Sequence, residues 1–123
     1  MTKPKHAKSE DEPTTNDEPI KIIVNKSFNR MVMNEFKDVF VMFYTPQDIA
    51  DSSAMRFWEE LALQSLNSND LLIAKFNAEE NDSRELKSKK ISKLPAMIFY
   101  PKHDKSGIVY DGSYNHQEIN EWI

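Results

Sequence analysis

The feature that most constrains the fold of this chain is an unbroken apolar run within residues 38–44, Asp-Val-Phe-Val-Met-Phe-Tyr. A short run rich in β-branched and aromatic residues predicts a strand, and its lack of polar alternation predicts that both faces are covered. Strands of this kind are typical of parallel sheets with helices on both sides. The run therefore predicts the centre of an α/β core.

Strand-like and helix-like patterns alternate on either side of this run. Further strands are predicted over residues 20–24, 71–76, 96–100 and 107–110. Helices are predicted after Ser27, which is expected to cap the first of them, and over residues 48–67, 83–88 and 116–123. The alternation predicts a mostly parallel five-stranded sheet flanked by helices, with a final hairpin adding an antiparallel edge.

The first 19 of the 123 residues contain hardly a large apolar side chain. Such a segment cannot bury enough surface to offset the entropy of ordering it. We therefore predict a disordered acidic tail or interdomain linker over residues 1–18, followed by one domain over residues 19–123.

Composition excludes several classes of function. A net charge of -4 without a basic cluster argues against nucleic-acid binding, and no apolar run is long enough to predict membrane insertion. The absence of cysteine excludes disulfides, thiol catalysis and thiolate metal sites. The three histidines are too scattered for a metal triad, so we predict no metal site. We also predict no cofactor and a monomeric isolated domain.

Several segments, in their order and spacing, resemble the protein disulfide isomerase family, and in particular its C-terminal catalytic-type domain. They are residues 19–28, 38–46, 57–61 (Phe-Trp-Glu-Glu-Leu), 72–77, 94–95 and 110–112, with residues 8–19 resembling the acidic linker before that domain. The resemblance implies a thioredoxin-like α/β fold with a central mixed five-stranded sheet flanked by helices. It also implies residence in the lumen of the endoplasmic reticulum.

The chain departs from this family where the family performs its chemistry. Active relatives carry Tyr-Ala-Pro-Trp-Cys-Gly-His-Cys where residues 44–51 read Tyr-Thr-Pro-Gln-Asp-Ile-Ala-Asp. The Trp is replaced by Gln47. The degenerate motif that replaces Cys-x-x-Cys consists of Asp48, Ile49, Ala50 and Asp51. The resemblance therefore implies a domain that is not an enzyme.

The groups that support thiol chemistry in the family are also replaced. By the resemblance, Met42 stands where active relatives bury a glutamate that shuttles protons, and Tyr114 stands where they carry an arginine. Arg56 replaces a proline that kinks the helix. Lys75 is retained, and we interpret it as solvated or ion-paired.

The two aspartates of the degenerate motif allow three interpretations. A carboxylate at a helix N-terminus is stabilised by about 0.3–1 kcal/mol, so Asp48 is explained by helix capping alone. A cation site or an acid–base pair with Asp51 would need further ligands or divergent environments, for which the neighbouring sequence offers no residues. Capping is the favoured interpretation.

The Leu94–Pro95 pair allows two compatible interpretations. In the family the matching proline is cis and lies beside the active-site helix, so it is retained either for the sheet or for binding an extended peptide. Apolar side chains expected to be exposed here are Ile49 and Leu94, with Phe57 as a third candidate. The predicted peptide-binding surface consists of Gln47, Asp48, Ile49, Leu94 and Pro95.

Two Asn-x-Ser triplets, which begin at Asn25 and Asn81, are candidate glycosylation acceptors in a secretory lumen. The leading functional hypothesis is a redox-inactive domain that binds unfolded client polypeptide or a partner such as a chaperone. The alternative is a structural spacer in a multidomain protein. Calcium storage is a third hypothesis, but 20 acidic against 16 basic residues is too balanced to favour it.

Overall fold

The computed structural model describes residues 8–49, 53–68 and 70–122, and its elements alternate as the sequence predicts. The strands are β1 (Lys21–Ile23), β2 (Asp38–Tyr44), β3 (Leu71–Asn77), β4 (Ala96–Tyr100) and β5 (Ile108–Tyr110). The helices are α1 (Phe28–Val32), α2 (Pro46–Ile49), α3 (Ser53–Gln64), α4 (Arg84–Ser88) and α5 (His116–Trp122), and a 3-10 turn at Asn25–Ser27 precedes α1.

The five strands form one mixed sheet in the order β1-β3-β2-β4-β5, which confirms the predicted fold class. Strands β1, β3 and β2 run parallel, whereas β4 runs antiparallel to β2 and β5 antiparallel to β4. The expectation that only the last hairpin breaks the parallel order was therefore incomplete. The connection from β3 to β4 therefore returns the chain at the same end of the sheet, so β4 starts where β2 and β3 end.

The sheet is covered on both faces, and β2 lies at its centre. Even-numbered residues of β2, such as Phe40 and Met42, face the core that contains α3 and α5, here called the α3 side. Odd-numbered residues, such as Val41, face the core that contains α1, here called the α1 side. Burial on both sides is what the unbroken apolar run predicted.

One aromatic residue fixes α3 against the sheet. The Trp58 indole nitrogen donates a hydrogen bond of 2.7 Å to the backbone oxygen of Ala74 on β3. Its ring meets Phe40 edge to face, with 4.9 Å between ring centroids. A buried Trp that satisfies its only polar atom in this way packs without an unpaired donor, so α3 has a defined register over β2 and β3.

Two local predictions about helix ends were wrong. The predicted 48–67 helix begins earlier, at Pro46, and its regular part ends at Gln64, while residues 50–52 lie outside the described residues. Proline suits the first position of a helix because its missing N–H needs no partner there. Ser27 does not cap α1, since its hydroxyl instead accepts a hydrogen bond of 3.1 Å from the Val24 N–H.

The N-terminal segment is described from residue 8 onward. Residues 8–18 contain no helix or strand, and they follow the surface of the domain beside β1 and α1. Residues 1–7 lie outside the described residues. The division of the chain at residues 18 and 19 stays a prediction.

Candidate functional site

The degenerate motif and the Leu94–Pro95 pair lie at the same end of the sheet. Strands β2 and β4 are antiparallel, with Phe43 opposite Ala96. Continuing this register by one residue brings the last residue of β2 opposite Pro95. The segment 45–49 that follows β2 therefore leaves the sheet beside the two residues that precede β4.

The start of α2 is organised by Thr45 and Asp48. The Asp48 N–H donates a hydrogen bond of 3.0 Å to the Thr45 backbone oxygen. The Thr45 hydroxyl donates a second one, of 2.5 Å, to the Asp48 carboxylate. The Asp48 side chain is exposed, and its carboxylate accepts from a hydroxyl and not from a helix N–H, so the capping interpretation stays a prediction. Sequence reasoning missed Thr45, although Thr-x-x-Asp is the spacing of a capping box.

The other residues at the start of α2 differ in exposure. Gln47 is exposed, but Ile49 is half-buried and packs against the α3-side core. The expectation that Ile49 would be an exposed apolar residue was therefore only half right. Ala50 and Asp51 lie outside the described residues, so of the two aspartates the structure places only Asp48.

The Leu94–Pro95 peptide bond is cis, and both residues are half-buried. The Leu94 side chain packs against the α1-side core, on the opposite face of the sheet from Ile49. No hydrogen bond joins the Leu94 backbone to any other described residue. At this sheet end the polar side chains of Gln47 and Asp48 are exposed. The apolar side chains of Ile49 and Leu94 pack against the two opposite cores.

Phe57 does not belong to this surface, which corrects the expectation that it would be exposed. Its side chain is only 4% exposed. Tyr114 stacks on it with 5.6 Å between ring centroids, and the His116 ring lies 4.9 Å away. The segment before α5 folds over α3 and covers Phe57, whereas Tyr114 itself stays 46% exposed.

An unpredicted polar contact lies beside this aromatic cluster. Nε2 of His116 is 2.8 Å from a carboxylate oxygen of Glu60 on α3. The other ring nitrogen, Nδ1, is buried and has no hydrogen-bond partner among the described residues. The two residues are 56 positions apart, so no local pattern could have revealed the contact.

The layer beneath the degenerate motif is apolar. Met42 is fully buried, with Lys75 of β3 and Met97 of β4 as its register partners. No carboxylate of the described ranges forms an ion pair with Lys75, which is half-buried. Arg56 is exposed on α3. A methionine cannot accept or release a proton, so the site has no buried acid at the position where a proton relay would need one.

One titratable group borders the site from the sheet. Tyr44, the last residue of β2, is half-buried. Burial of its phenol, together with the negative charge of Glu10, raises the pKa of Tyr44 above its ordinary value of 10.0. The phenol is therefore neutral at pH 7 and can only donate or accept a hydrogen bond.

The described ranges contain no cluster of three or more metal-ligating side chains and no helix long and apolar enough to cross a bilayer. The expectation that the domain binds no metal or cofactor stays a prediction.

Both candidate glycosylation acceptors are engaged in the fold. The Asn81 side chain is buried, and its amide nitrogen donates hydrogen bonds to Glu10 and Asn77. The Asn25 amide nitrogen donates to the backbone oxygen of Asp82. A glycan on either nitrogen would displace these partners. Glycosylation at both positions stays a prediction.

A thioredoxin family model matches residues 19–123. Together with the five-stranded sheet, this match defines the class. The chain belongs to the thioredoxin family, and its relatives are protein disulfide isomerases.

Three curated relatives show where in that family the chain stands. It is 31% identical over 105 residues to protein disulfide-isomerase 1 of Caenorhabditis elegans, covering 85% of this chain and 21% of the relative. In Mus musculus it is 32% identical over 114 residues to the protein disulfide-isomerase-like protein of the testis, covering 92% and 19%. It is also 32% identical over 106 residues to protein disulfide-isomerase A4, covering 85% and 16%. The chain thus spans about a fifth of these relatives' length.

Solved structures agree on the fold. The first thioredoxin domain of mouse protein disulfide-isomerase A4 superposes with a TM-score of 0.70 at 20% identity, over 93% of this chain and 79% of that one. Full-length ERdj5 gives a TM-score of 0.67 at 17% identity, over 85% of this chain and 16% of that one. Because the chain contains no cysteine, it has no Cys-x-x-Cys active site and performs no thiol–disulfide exchange.

Proposed function

We propose that this chain is a non-catalytic domain of a protein disulfide isomerase-like protein, which binds unfolded polypeptide or a protein partner without thiol exchange. The observation that carries the proposal is the arrangement at the motif end of the sheet. The buried acid position and both thiols are replaced, yet Leu94 and Pro95 still lie beside the start of α2. Loss of the chemistry without loss of the surrounding surface favours binding.

An extended peptide is the ligand that this surface fits best. The Leu94 N–H and C=O have no partner among the described residues, so they can pair with the backbone of an added strand-like segment. Ile49 and Leu94 are half-buried and offer apolar contact on either side of the sheet end. Gln47 and Asp48 are exposed and form a polar rim. Backbone pairing with little side-chain selection suits a binder of unfolded chains.

The proposal is tested by titrating an unfolded client peptide into the isotope-labelled chain and following backbone chemical shifts. We expect the largest shifts at residues 47–49 and 94–95. The Ile49→Glu variant should weaken binding about tenfold, because a charge replaces the apolar contact. Leu66→Glu is the matched control, since Leu66 is 59% exposed in the turn after α3. Thermal melts of both variants establish that they are folded.

Two results would contradict this placement. Shifts confined to the opposite end of the sheet, around Phe36 and Leu66, would move the binding surface there. An equal loss of affinity in Ile49→Glu and Leu66→Glu would show that the binding does not depend on the motif end.

A structural spacer remains the second candidate, and the length of the relatives favours it. The chain spans about a fifth of them, so it is comparable to one unit of a longer protein. The two candidates separate when this domain is deleted from its full-length parent. Client binding that persists after the deletion supports a spacer, and binding that is lost supports the peptide-binding surface.

The family resemblance also leads us to propose an endoplasmic reticulum lumen location, with unfolded clients or a chaperone as partners. Fluorescence microscopy of the tagged full-length parent, co-stained with a lumenal marker, tests the location. A cytosolic distribution would contradict it.

A further inference from the structure

Strand β1 lies at the edge of the sheet and pairs with β3 alone. An open sheet edge presents backbone N–H and C=O groups that can pair with another extended chain. The middle residue of β1, Ile22, does not present these groups to solvent. Its N–H donates to Oδ1 of Asn16, and its C=O accepts from Nδ2 of Asn16, both at 2.9 Å. One side-chain amide thus makes the pair of hydrogen bonds that a neighbouring strand would make.

A second anchor is the Asn81 side chain, which is 1% exposed. Its oxygen accepts hydrogen bonds from the N–H groups of Glu10 and Asn25, at 2.8 and 3.0 Å. Its nitrogen donates to the Glu10 carboxylate and to the Asn77 backbone oxygen, at 2.8 and 2.9 Å. These four bonds use the amide's main donor and acceptor positions. Two of the four come from Glu10, in the segment before the thioredoxin domain.

Further contacts align the same segment along the domain. The Lys8 N–H donates to the Asp82 carboxylate at 2.7 Å, and the Lys8 backbone oxygen accepts from the Asp82 N–H at 2.8 Å. The Ser9 hydroxyl oxygen accepts a hydrogen bond of 3.0 Å from the Lys26 N–H. The pairing of Lys8 with Asp82 lies next along the chain to the contacts between Asn81 and Glu10.

The charges of the segment complement those of the surface below it. Asp11 forms an ion pair of 3.1 Å with Lys26, and Glu12 pairs with Arg30 on α1. The Arg30 guanidinium holds the pKa of Glu12 below its ordinary value. The acidic residues that predict a linker therefore meet basic residues of the domain itself.

From these contacts we infer that residues 8–18 form a strap that belongs to the folded domain and guards the β1 edge. The strap closes the edge to extended chains, including a second copy of this protein. The Asn16 side chain occupies the free backbone groups of β1, and the Asn81 side chain anchors the strap to the domain. The guarded backbone groups lie on the β1 edge, whereas the proposed peptide-binding surface lies beside the end of β2 and the start of β4.

The test compares amide hydrogen exchange in the whole chain and in its Asn16→Ala variant. We expect the Ile22 amide to exchange at least tenfold faster in the variant, since it loses its hydrogen-bond acceptor. Asn67→Ala is the matched control, because Asn67 is an exposed asparagine in the turn after α3, and it should leave Ile22 unchanged. Equal exchange of Ile22 in all three proteins would overturn the inference.

A second experiment measures what the whole strap contributes to stability and to the monomeric state. Deleting residues 1–18 should lower the midpoint of urea unfolding and produce dimers in sedimentation velocity at concentrations where the whole chain is monomeric. Deleting residues 1–7 is the control and should do neither. A monomer with an unchanged midpoint after the longer deletion would show that residues 8–18 are only a linker.

Discussion

The motif end of the sheet and the strap side use polar residues in opposite ways. At the motif end, Asp48 is exposed and its carboxylate has one side-chain partner, Thr45. On the strap side, Asn81 is buried and makes four hydrogen bonds. A buried polar group must have partners or it destabilises the fold, whereas an exposed one is solvated by water. The polar residues of the strap side are therefore explained by structure, and those of the motif end retain capacity for a ligand.

The layers beneath the two regions also differ. Below the motif end lies Met42, which is apolar and fully buried. Beside the strap lie the two Asn-x-Ser triplets, whose asparagines form one connected network through the Asn25 N–H and the Asn81 oxygen. The layer beneath the motif end is apolar, whereas the strap side contains a buried polar network.

The largest effect is expected when an acid is placed in the apolar layer beneath the motif end. Met42→Glu should lower the free energy of unfolding by about 3.5 kcal/mol at pH 7, because burial raises the pKa of a carboxyl by about three pH units and so penalises its charged form. A raised folded pKa means that the deficit shrinks as pH falls toward 4. Urea unfolding at pH 7 and pH 5 measures both effects.

Met42→Leu is the control for this change, and it should cost less than about 1.5 kcal/mol. Adding Lys75→Met to Met42→Glu enlarges the deficit if the retained lysine offsets the new charge. A Met42→Glu protein as stable as the parent at pH 7 would show that the motif end still accommodates an acid.

The next largest effect is expected on the strap side. Asn81→Leu keeps the volume of the side chain but leaves the Glu10 and Asn25 N–H groups and the Asn77 oxygen without their partner. Each buried unsatisfied group costs about 1–3 kcal/mol, and the strap can detach to rehydrate some of them, so we expect a loss of about 3 kcal/mol. Chemical denaturation measures it. A loss below about 1 kcal/mol would mean that the network contributes little.

The buried hydroxyl of Tyr100 offers a further comparison with the buried amide of Asn81. Its side chain is fully buried and its hydroxyl donates to Glu85 at 3.0 Å. Burial and the charge of Glu85 raise the pKa of Tyr100 well above its ordinary value of 10.0. Because the folded pKa is the higher one, the stabilisation is complete below pH 10 and declines by about 1.4 kcal/mol per pH unit above it.

The difference in unfolding free energy between the parent and Tyr100→Phe, followed from pH 9 to pH 11, isolates this group from the lysines that titrate nearby. A difference that stays constant over this range would contradict the assignment.

The smallest effect is expected at Asp48. Asp48→Asn removes the charge at the start of α2 but keeps a hydrogen-bond acceptor for Thr45, so the stability should change by only about 0.5 kcal/mol. Thermal unfolding at low and moderate salt measures the change, which should shrink with salt because exposed charges are screened. A loss as large as that of Asn81→Leu would remove the contrast between the two regions.

Most of the fold could be predicted because its signals are local. The run at β2 and the alternation of strands with helices depend on neighbouring residues, and β2 and β4 have the predicted bounds. The direction of β4 relative to β2 was missed, because strand direction is a property of the tertiary arrangement and leaves no periodic pattern in the sequence. Ser27 was assigned to the wrong partner because a serine near a helix start can bond in either direction.

The candidate site was predicted less completely. The positions of Gln47, Asp48, Leu94 and Pro95 at one sheet end follow from the family resemblance and agree with the register. The burial of Phe57 could not be predicted, since it depends on Tyr114 and His116 folding back from the end of the chain.

By itself, the sequence determined the αβ alternation, the two-sided burial of β2 and the loss of thiol chemistry, because each is written in adjacent residues or in the absence of a residue type. Only the tertiary structure decided which polar groups find partners. Glu10 and Asn81 are 71 residues apart, and the pairs that involve Lys8 and His116 are similarly distant. Such contacts exist only once the folded core has closed the long loops between them, so no local pattern encodes them.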